Sequence, residues 1–210
     1  LGSGGAVLDS KADYEKNSHA RKLTVLVDEL LRSNHTTYEQ LDAIAVSAGP
    51  GSYTGLRIGV SATKGYCYAL NKPIVAVPTL QLVAAAIKQQ SEKDNAYYLP
   101  LIDARRMDVY AALYSSSGAE VLPAGFFTLN ESFISMLSKY EAIIVGGDAA
   151  EKSKAVLIDS RFSFAHGIIP HASNMAAIAE SKFNRNELAD VAYFEPMYIN
   201  QFQPKLPKAK

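Results

Sequence analysis

The sequence predicts an α/β fold with mixed sheets, and three observations carry that prediction. Compact apolar runs of strand length recur at 43–47, 74–77, 97–103 and 142–145. Segments with apolar residues at helical spacing alternate with them. Two glycine turns, Gly49-Pro50-Gly51-Ser52 and Gly146-Gly147-Asp148, each end such a run directly before a helical segment.

Leu1-Gly-Ser-Gly-Gly reads as the end of a strand entering a hairpin turn; with no initiator methionine, an earlier strand is expected to be missing before it. Short strands are expected at 6–8 and 10–15. Asn17-Ser18-His19 introduces a helix over 20–33, where Leu23, Leu26, Val27, Leu30 and Leu31 form one apolar stripe. Thr37 starts a short helical stretch to Leu41, and 43–47 is a buried strand closed by the first glycine turn. The helix over 54–70 that follows carries small residues at Gly55, Gly59, Ala62, Gly65 and Ala69. Interior glycines cost ~1 kcal/mol each relative to alanine, so close packing on that face is expected to compensate. A strand at 73–77 leads to a helix over 79–90 capped by Thr79. The polar stretch 89–95 marks a boundary near Asn95 between a first lobe, 1–95, and a second, 96–210. The second lobe is expected to hold strands 97–103 and 108–114 around a turn at 104–107, then a turn-rich segment around Pro123. A helix over 131–139, strand 142–145, the second glycine turn, a helix over 149–158, a short run at 162–164 and a helix over 173–183 complete it.

Lys+Arg and Asp+Glu both number 21 in 210 residues, so the whole molecule offers no net field for a polyanion. Contact with RNA is therefore expected to fall mainly to another chain. Cys67, the one cysteine, precludes an internal disulfide framework and lies among apolar neighbours, which suits a core position in a reducing compartment. The longest apolar runs, such as 74–77 and 82–87, fall far short of the ~20 residues of a membrane span, and no signal-peptide pattern is present. A cytoplasmic location without membrane association is expected.

The first glycine turn has the setting of a phosphate cradle, because it frees backbone N–H groups at a helix N-terminus. Its spacing is G-x-G-x-x-x-G, however, and Leu56 stands where a P-loop has its lysine. A tight strand-to-helix turn capped by Ser52 or Thr54 is the other reading. His19, His35, His166 and His171 are scattered without a metal-binding spacing, so no metal site is expected. Asp103, Arg105, Arg106 and Asp108 form a charged turn, open both to acid–base work and to mutual pairing. Asp148 suits a helix cap or a phosphate-facing position. No nucleophile signature such as G-x-S-x-G occurs.

Four separated segments resemble the bacterial TsaB (YeaZ) family: Ser18, His19 and Leu23 at the first helix; SAGPGSYTGLRIG at 47–59; IDARRMDVYAALY at 102–114; and FEPMYI at 194–199. They come in the family's order. The resemblance implies an actin-like (ASKHA) fold of two ribonuclease-H-like lobes. It also implies a non-catalytic paralogue of TsaD, the metal-dependent subunit that transfers threonylcarbamoyl to adenosine beside the tRNA anticodon. The H-x-x-x-H metal motif of TsaD-like proteins does not occur here. In the family, TsaB pairs with TsaD through helices of the first lobe and forms homodimers through an overlapping surface. TsaE with ATP joins that pair, tRNA is reached indirectly, and no cofactor is held tightly by TsaB itself. In this chain the expected partner-binding residues are Leu23, Leu26 and Leu30 with Gly55, Gly59 and Ala62; packing of both stripes on their own sheet is the alternative. A rival reading is an ATP-using ASKHA enzyme in which Gly49, Gly51, Ser52, Thr54, Gly146, Gly147 and Asp148 hold phosphates. A protease of the kind once labelled glycopeptidase has neither motif to support it. Two departures stand out: the first strand and loop, acidic and phosphate-binding in active relatives, are not in this sequence, and Asn200 replaces an expected basic residue ahead of the tail at 204–210.

Overall fold

The computed structural model describes residues 1–15, 18–91, 93 and 95–199. Asn17, the side chain of His19, Asn200 and the tail at 204–210 lie outside the described residues. Strands β1 (Gly2–Ser3) and β2 (Ala6–Val7) form an antiparallel hairpin. The strand expected at 10–15 does not form. Carboxylates satisfy the backbone locally instead: Asp9 accepts from the Ser10 N–H at 2.7 Å and Asp13 from the Glu15 N–H at 3.2 Å. Asp13 and Glu15 also pair with Lys22 of α1 (His19–Ser33), which fastens this segment to the helix. The stretch from Thr37 is a single 3-10 turn, Tyr38–Gln40, held by a capping box between Thr37 and Gln40.

Strand β3 (Ile44–Ser47), helix α2 (Tyr53–Leu70) and strand β4 (Ile74–Val77) form a parallel βαβ unit, with Ile44 opposite Ile74 and Ser47 opposite Val77. Asn71 in the left-handed conformation terminates α2. Helix α3 (Thr79–Gln90) follows, buried on nearly every side through Leu80, Leu82, Val83, Ala84, Ala86 and Ile87. The second sheet comprises β5 (Tyr97–Asp103), β6 (Asp108–Tyr114), β7 (Glu120–Thr128), β8 (Ile143–Gly146) and β9 (Phe162–Phe164), in the order β7-β6-β5-β8-β9. Only β6 runs against the rest, since β5 pairs antiparallel with β6 and parallel with β8. This is the strand arrangement of a ribonuclease-H-like lobe, and the molecule is actin-like as expected.

The segment around Pro123, read from sequence as turns, is instead the long edge strand β7. Pro123 is tolerated there because its pairing with β6 shifts register between Ala111 and Leu113, where the ladder needs no donor. Helices α4 (Glu131–Met136) and α5 (Ala150–Ser153) are shorter than their sequence periodicity suggests. In α5 the Ser153 hydroxyl bonds back to the Ala150 carbonyl at 2.7 Å and competes with helix continuation. A 3-10 turn, Ala172–Met175, precedes α6 (Ala176–Asn184). One apolar cluster runs from Val75 and Val77 of β4 through Leu80, Val83 and Ile87 of α3 to Ile102, Ala112 and Ile144 of the second sheet. Another, built on Leu99, Val109, Phe133, Leu137 and Ile143, fills the opposite face of that sheet.

Candidate functional site

Both glycine turns lie at the C-terminal ends of strands, and both are attached to α3. At the first, the Gly49 N–H donates to the Thr79 hydroxyl at 3.1 Å, and the Thr79 N–H returns a bond to the Gly49 carbonyl at 2.8 Å. That hydroxyl also meets Ser47 Oγ at 2.6 Å, so Thr79 holds the turn and does not cap α3; Pro78 occupies the cap position. Gly49 has φ +108°, and a Cβ there would lie 2.5 Å from the Met197 carbonyl oxygen. The glycine is required by that backbone approach. Ser52 caps α2 by accepting from the Gly55 N–H at 3.3 Å. Gly51 faces open space, and Thr54 is exposed.

The second turn obeys the same logic. Gly147 has φ +113°, and a Cβ there would fall 2.1 Å from the Leu101 carbonyl; one on Gly146 would strike Ile87 of α3 at 2.6 Å. Asp148 is not a helix cap, since Ala149 precedes α5; its carboxylate accepts the Asp103 N–H at 2.8 Å, joining β8 to the end of β5. Burial, and the like charge of Asp103, hold the Asp148 carboxyl above the usual carboxylate range, partly offset by that hydrogen bond. Lys152 reaches across from α5, pairs with the Asp103 carboxylate and donates to the carbonyls of Arg106 at 2.9 Å and Asp108 at 2.7 Å. The Asp103 charge is thus met by Lys152 from outside the turn and the Asp108 carboxylate accepts from the Thr128 hydroxyl at 2.6 Å, in place of the mutual pairing expected with Arg105 and Arg106, which sit in the turn at φ +73° and +49°, a conformation side chains rarely adopt. Because α3 meets Gly49 at Thr79 and Gly146 at Ile87, the two turns are moored about 12 Å apart along its axis. Among the described residues no three His, Cys, Asp or Glu are grouped to hold a metal. A surface depression of about 410 Å³ is lined by Tyr14, Gln90, Ile169, His171 and Asn174 among others, and by none of the glycine-turn residues.

The helix face expected to bind a partner is partly open. Leu23, Leu26 and Leu30 of α1 are only half-buried, while Leu31 of the same stripe enters the interior. Helix α2 meets its core through Val60, Thr63 and Cys67. Its glycine line runs along a different side, and the close packing expected there is absent among the described residues. A Cβ on Gly59 would find only Val46 at 4.0 Å, one on Gly55 only its own cap Ser52 at 3.4 Å, and one on Gly65 nothing within 4 Å. Ala62 is half-buried. Helix α1 adjoins α2 near Tyr66, whose ring stacks on Tyr38 at 5.6 Å. Burial, with Tyr38 and Asp28 nearby, pushes the Tyr66 phenol up to about 12.

Two participants had little signal in the sequence. Lys152 lies 49 positions from Asp103 and belongs to no motif. The other is a C-terminal strap over 189–199. The Ala189 N–H bonds to the Ile74 carbonyl at 2.9 Å and the Met197 N–H to the Ala48 carbonyl at 2.7 Å, so the strap crosses the first sheet and seats on the first glycine turn. The segments at 47–59 and 194–199, quoted separately above, are therefore one structural unit. Lys64 of α2 anchors the strap through the carbonyls of Ala192 at 2.8 Å and Phe194 at 3.2 Å, and the Tyr53 and Tyr198 rings lie 5.1 Å apart.

Residues 13–193 match the family model described as "TsaD: tRNA N6-adenosine threonylcarbamoyltransferase". The chain is 23% identical over 197 residues to the "tRNA threonylcarbamoyladenosine biosynthesis protein TsaB" of Haemophilus influenzae, covering 89% of this chain and 82% of that one. It is 25% identical over 205 residues to the protein of the same name from Escherichia coli, covering 90% and 84%. The solved structure of YeaZ from Pseudomonas aeruginosa superposes with a TM-score of 0.72 at 23% identity, covering 89% of this chain and 87% of that one, which establishes the shared fold. With two glycine turns spent on backbone packing, a paired acidic corner and an open helix flank on an actin-like frame, the chain belongs to the TsaD family and, within it, to the TsaB (YeaZ) proteins.

Proposed function

We propose that this chain serves tRNA threonylcarbamoyladenosine synthesis as a scaffold subunit: it pairs with TsaD and makes or breaks no bond itself. The observation that carries this reading is the open flank of α1 and α2. Leu23, Leu26 and Leu30 stay half-exposed beside a helix side whose glycines have no close backbone against them among the described residues. Glycine in a helix interior is offset only by close approach of another backbone, and a second helix is the partner that fits. The same flank serves a homodimer through an overlapping surface. TsaE with ATP joins the TsaD pair, and this chain keeps no cofactor of its own. The uses found for the glycine turns support the reading, since Gly49, Gly146 and Gly147 are each accounted for by atoms of this chain that a Cβ would strike.

The test is co-purification with TsaD. Wild type forms a stable complex, and Leu26→Glu, placing a charge on the flank, weakens it by at least a hundredfold, about 3 kcal/mol. A folded Leu26→Glu protein that binds TsaD normally puts the interface elsewhere. Calorimetric titration of ATP into the isolated chain tests the rival enzyme: tight binding with hydrolysis overturns the scaffold reading.

A further inference from the structure

Helix α2 presents a second face, away from α1, that the pairing flank does not use. Tyr53, Arg57, Lys64 and Tyr68 recur at intervals of four, seven and four, which places them along one side of the helix. The strap runs beside that side: Tyr198 packs on Tyr53, and Lys64 holds the carbonyls of Ala192 and Phe194, on either side of Tyr193. Tyr68 and Tyr193 are each 85% exposed, the largest exposures of any large hydrophobic side chain among the described residues, and Tyr53 and Tyr198 are exposed by 46% and 39%. These four rings together leave roughly 500 Å² open, at about 200 Å² per fully exposed tyrosine. A patch of that size stands at the upper end of what a monomer shows and marks an interaction surface.

Charge says what fits it. Helix α2 carries Arg57 and Lys64 and no carboxylate, while the strap over 189–199 carries Asp190 and Glu195 and no cation. The face is neutral as a whole but divided, with cations along the helix and carboxylates along the strap. Among the described residues no ion pair joins the two rows. Arg57 donates instead to the Tyr53 hydroxyl at 2.7 Å, and Asp190 accepts the Ala192 and Tyr193 N–H groups at 2.7 Å and 2.9 Å. A surface of one sign suits a polyion; a neutral surface split into opposite halves complements itself. Half a turn about an axis through the face lays the helix of one copy on the strap of another, so that cations meet carboxylates twice and Tyr53 and Tyr68 meet Tyr193 and Tyr198. We infer that the Tyr53–Arg57–Lys64–Tyr68 side of α2, with the strap, is a two-fold docking surface for a second copy of this chain. The flank lies on the other side of α2, so a chain already paired there keeps this face open. Two such faces cover roughly 1,000 Å² between them, where specific contacts begin, which suits a weak dimer that fills at tens to hundreds of micromolar.

Sedimentation equilibrium of the full chain carrying Leu26→Glu, which blocks the flank, tests it from low micromolar to several hundred micromolar. That chain passes from monomer to dimer across the range. Adding Tyr68→Ala with Tyr193→Ala weakens association by at least about tenfold, since each dimer loses four rings from the centre of its contact. Arg57→Glu and Glu195→Arg, at two exposed positions, each oppose like charges across the axis and hold the chain monomeric with its melting temperature unchanged. An equimolar mixture of those two variants dimerises again, because each copy supplies the charge that the other has lost. A Leu26→Glu chain that stays monomeric at the highest concentration overturns the inference, and so does a mixture that associates no better than either variant alone. Association untouched by the tyrosine substitutions puts the contact elsewhere and overturns it too. Where Leu26→Glu leaves the wild-type dimer intact and the tyrosine substitutions abolish it, the flank reading fails and this surface stands.

Discussion

Gly51 and Gly147 look alike in the sequence, each in a glycine turn before a helix, yet the structure gives them opposite prospects. Gly147→Ala must place a Cβ against the Leu101 carbonyl at φ +113°, at a cost on the order of 3 kcal/mol. For a domain of this size that is a fall of roughly 6–12 °C in Tm by calorimetry. Gly51→Ala meets open space and changes Tm by no more than a degree or two, slightly upward if it moves. Equal losses in the two variants mean that Leu101 does not fix the choice at 147. Asp148 carries a pH signature with a definite sign. Its carboxyl binds a proton more tightly in the folded than in the unfolded chain, so it lowers stability as pH rises from 3.8 through its raised value. Asp148→Asn keeps the acceptor for the Asp103 N–H and loses that slope; urea midpoints measured across the acid range show the wild-type profile falling more steeply than the variant's. Turn glycines are legible in a sequence because few residues take their place. What they make room for, Met197 and Leu101, is not, because those neighbours arrive from far along the chain.

Among the elements, legibility followed hydrophobic continuity. The apolar strands β3, β4, β5, β6 and β8 and the helices α1, α2 and α3 all appear within a residue or two of where their patterns place them. Strand β7 was hidden by Pro123 and Gly125, since an edge strand with a register shift admits both. The segment at 10–15 erred the other way, its alternation outweighed by carboxylates that bond to their own backbone. The open flank of α1 was legible as an excess of leucines; the aromatic face of α2 was not, because it is completed only when the strap lies against it. The β5–β6 hairpin makes an element-scale prediction. Of its two left-handed arginines, Arg106 is held by Lys152 directly, through its carbonyl, and Arg105 at one remove, through the Asp103 carboxylate that accepts its N–H and pairs with Lys152. Lys152→Met takes a charged donor from the Asp103 carboxylate and from the carbonyls of Arg106 and Asp108 and costs about 1–3 kcal/mol. Hydrogen exchange at the Arg105 and Asp108 amides accelerates while β8 keeps its protection. Uniform exchange across both strands in the variant denies Lys152 that fastening role.

At the scale of the molecule, zero net charge conceals an uneven surface. One flank of the first helices is apolar and small-residued, and the opposite side of α2 is aromatic and basic. The two sides predict separable behaviour in solution. Leu26→Glu shifts the isolated protein from dimer to monomer in sedimentation-velocity runs at low micromolar concentration, with no change in the effect of salt. A wild-type chain that stays monomeric there, and pairs with TsaD regardless, reserves the flank for the heterodimer. The actin-like frame itself was predictable from four short segments of resemblance, but the coupling between its sheets was not, because it resides in one helix. Helix α3 is gripped at Thr79 by the first glycine turn and at Ile87 by the second, with its remaining sides packed into a single continuous core. Mechanically it is a strut. A helix hardly stretches, so the two turns keep their spacing unless the whole rod is pulled out of that core. Braced in this way, the two turns share one fixed spacing, and a displacement of either is felt at the other through the rod between them.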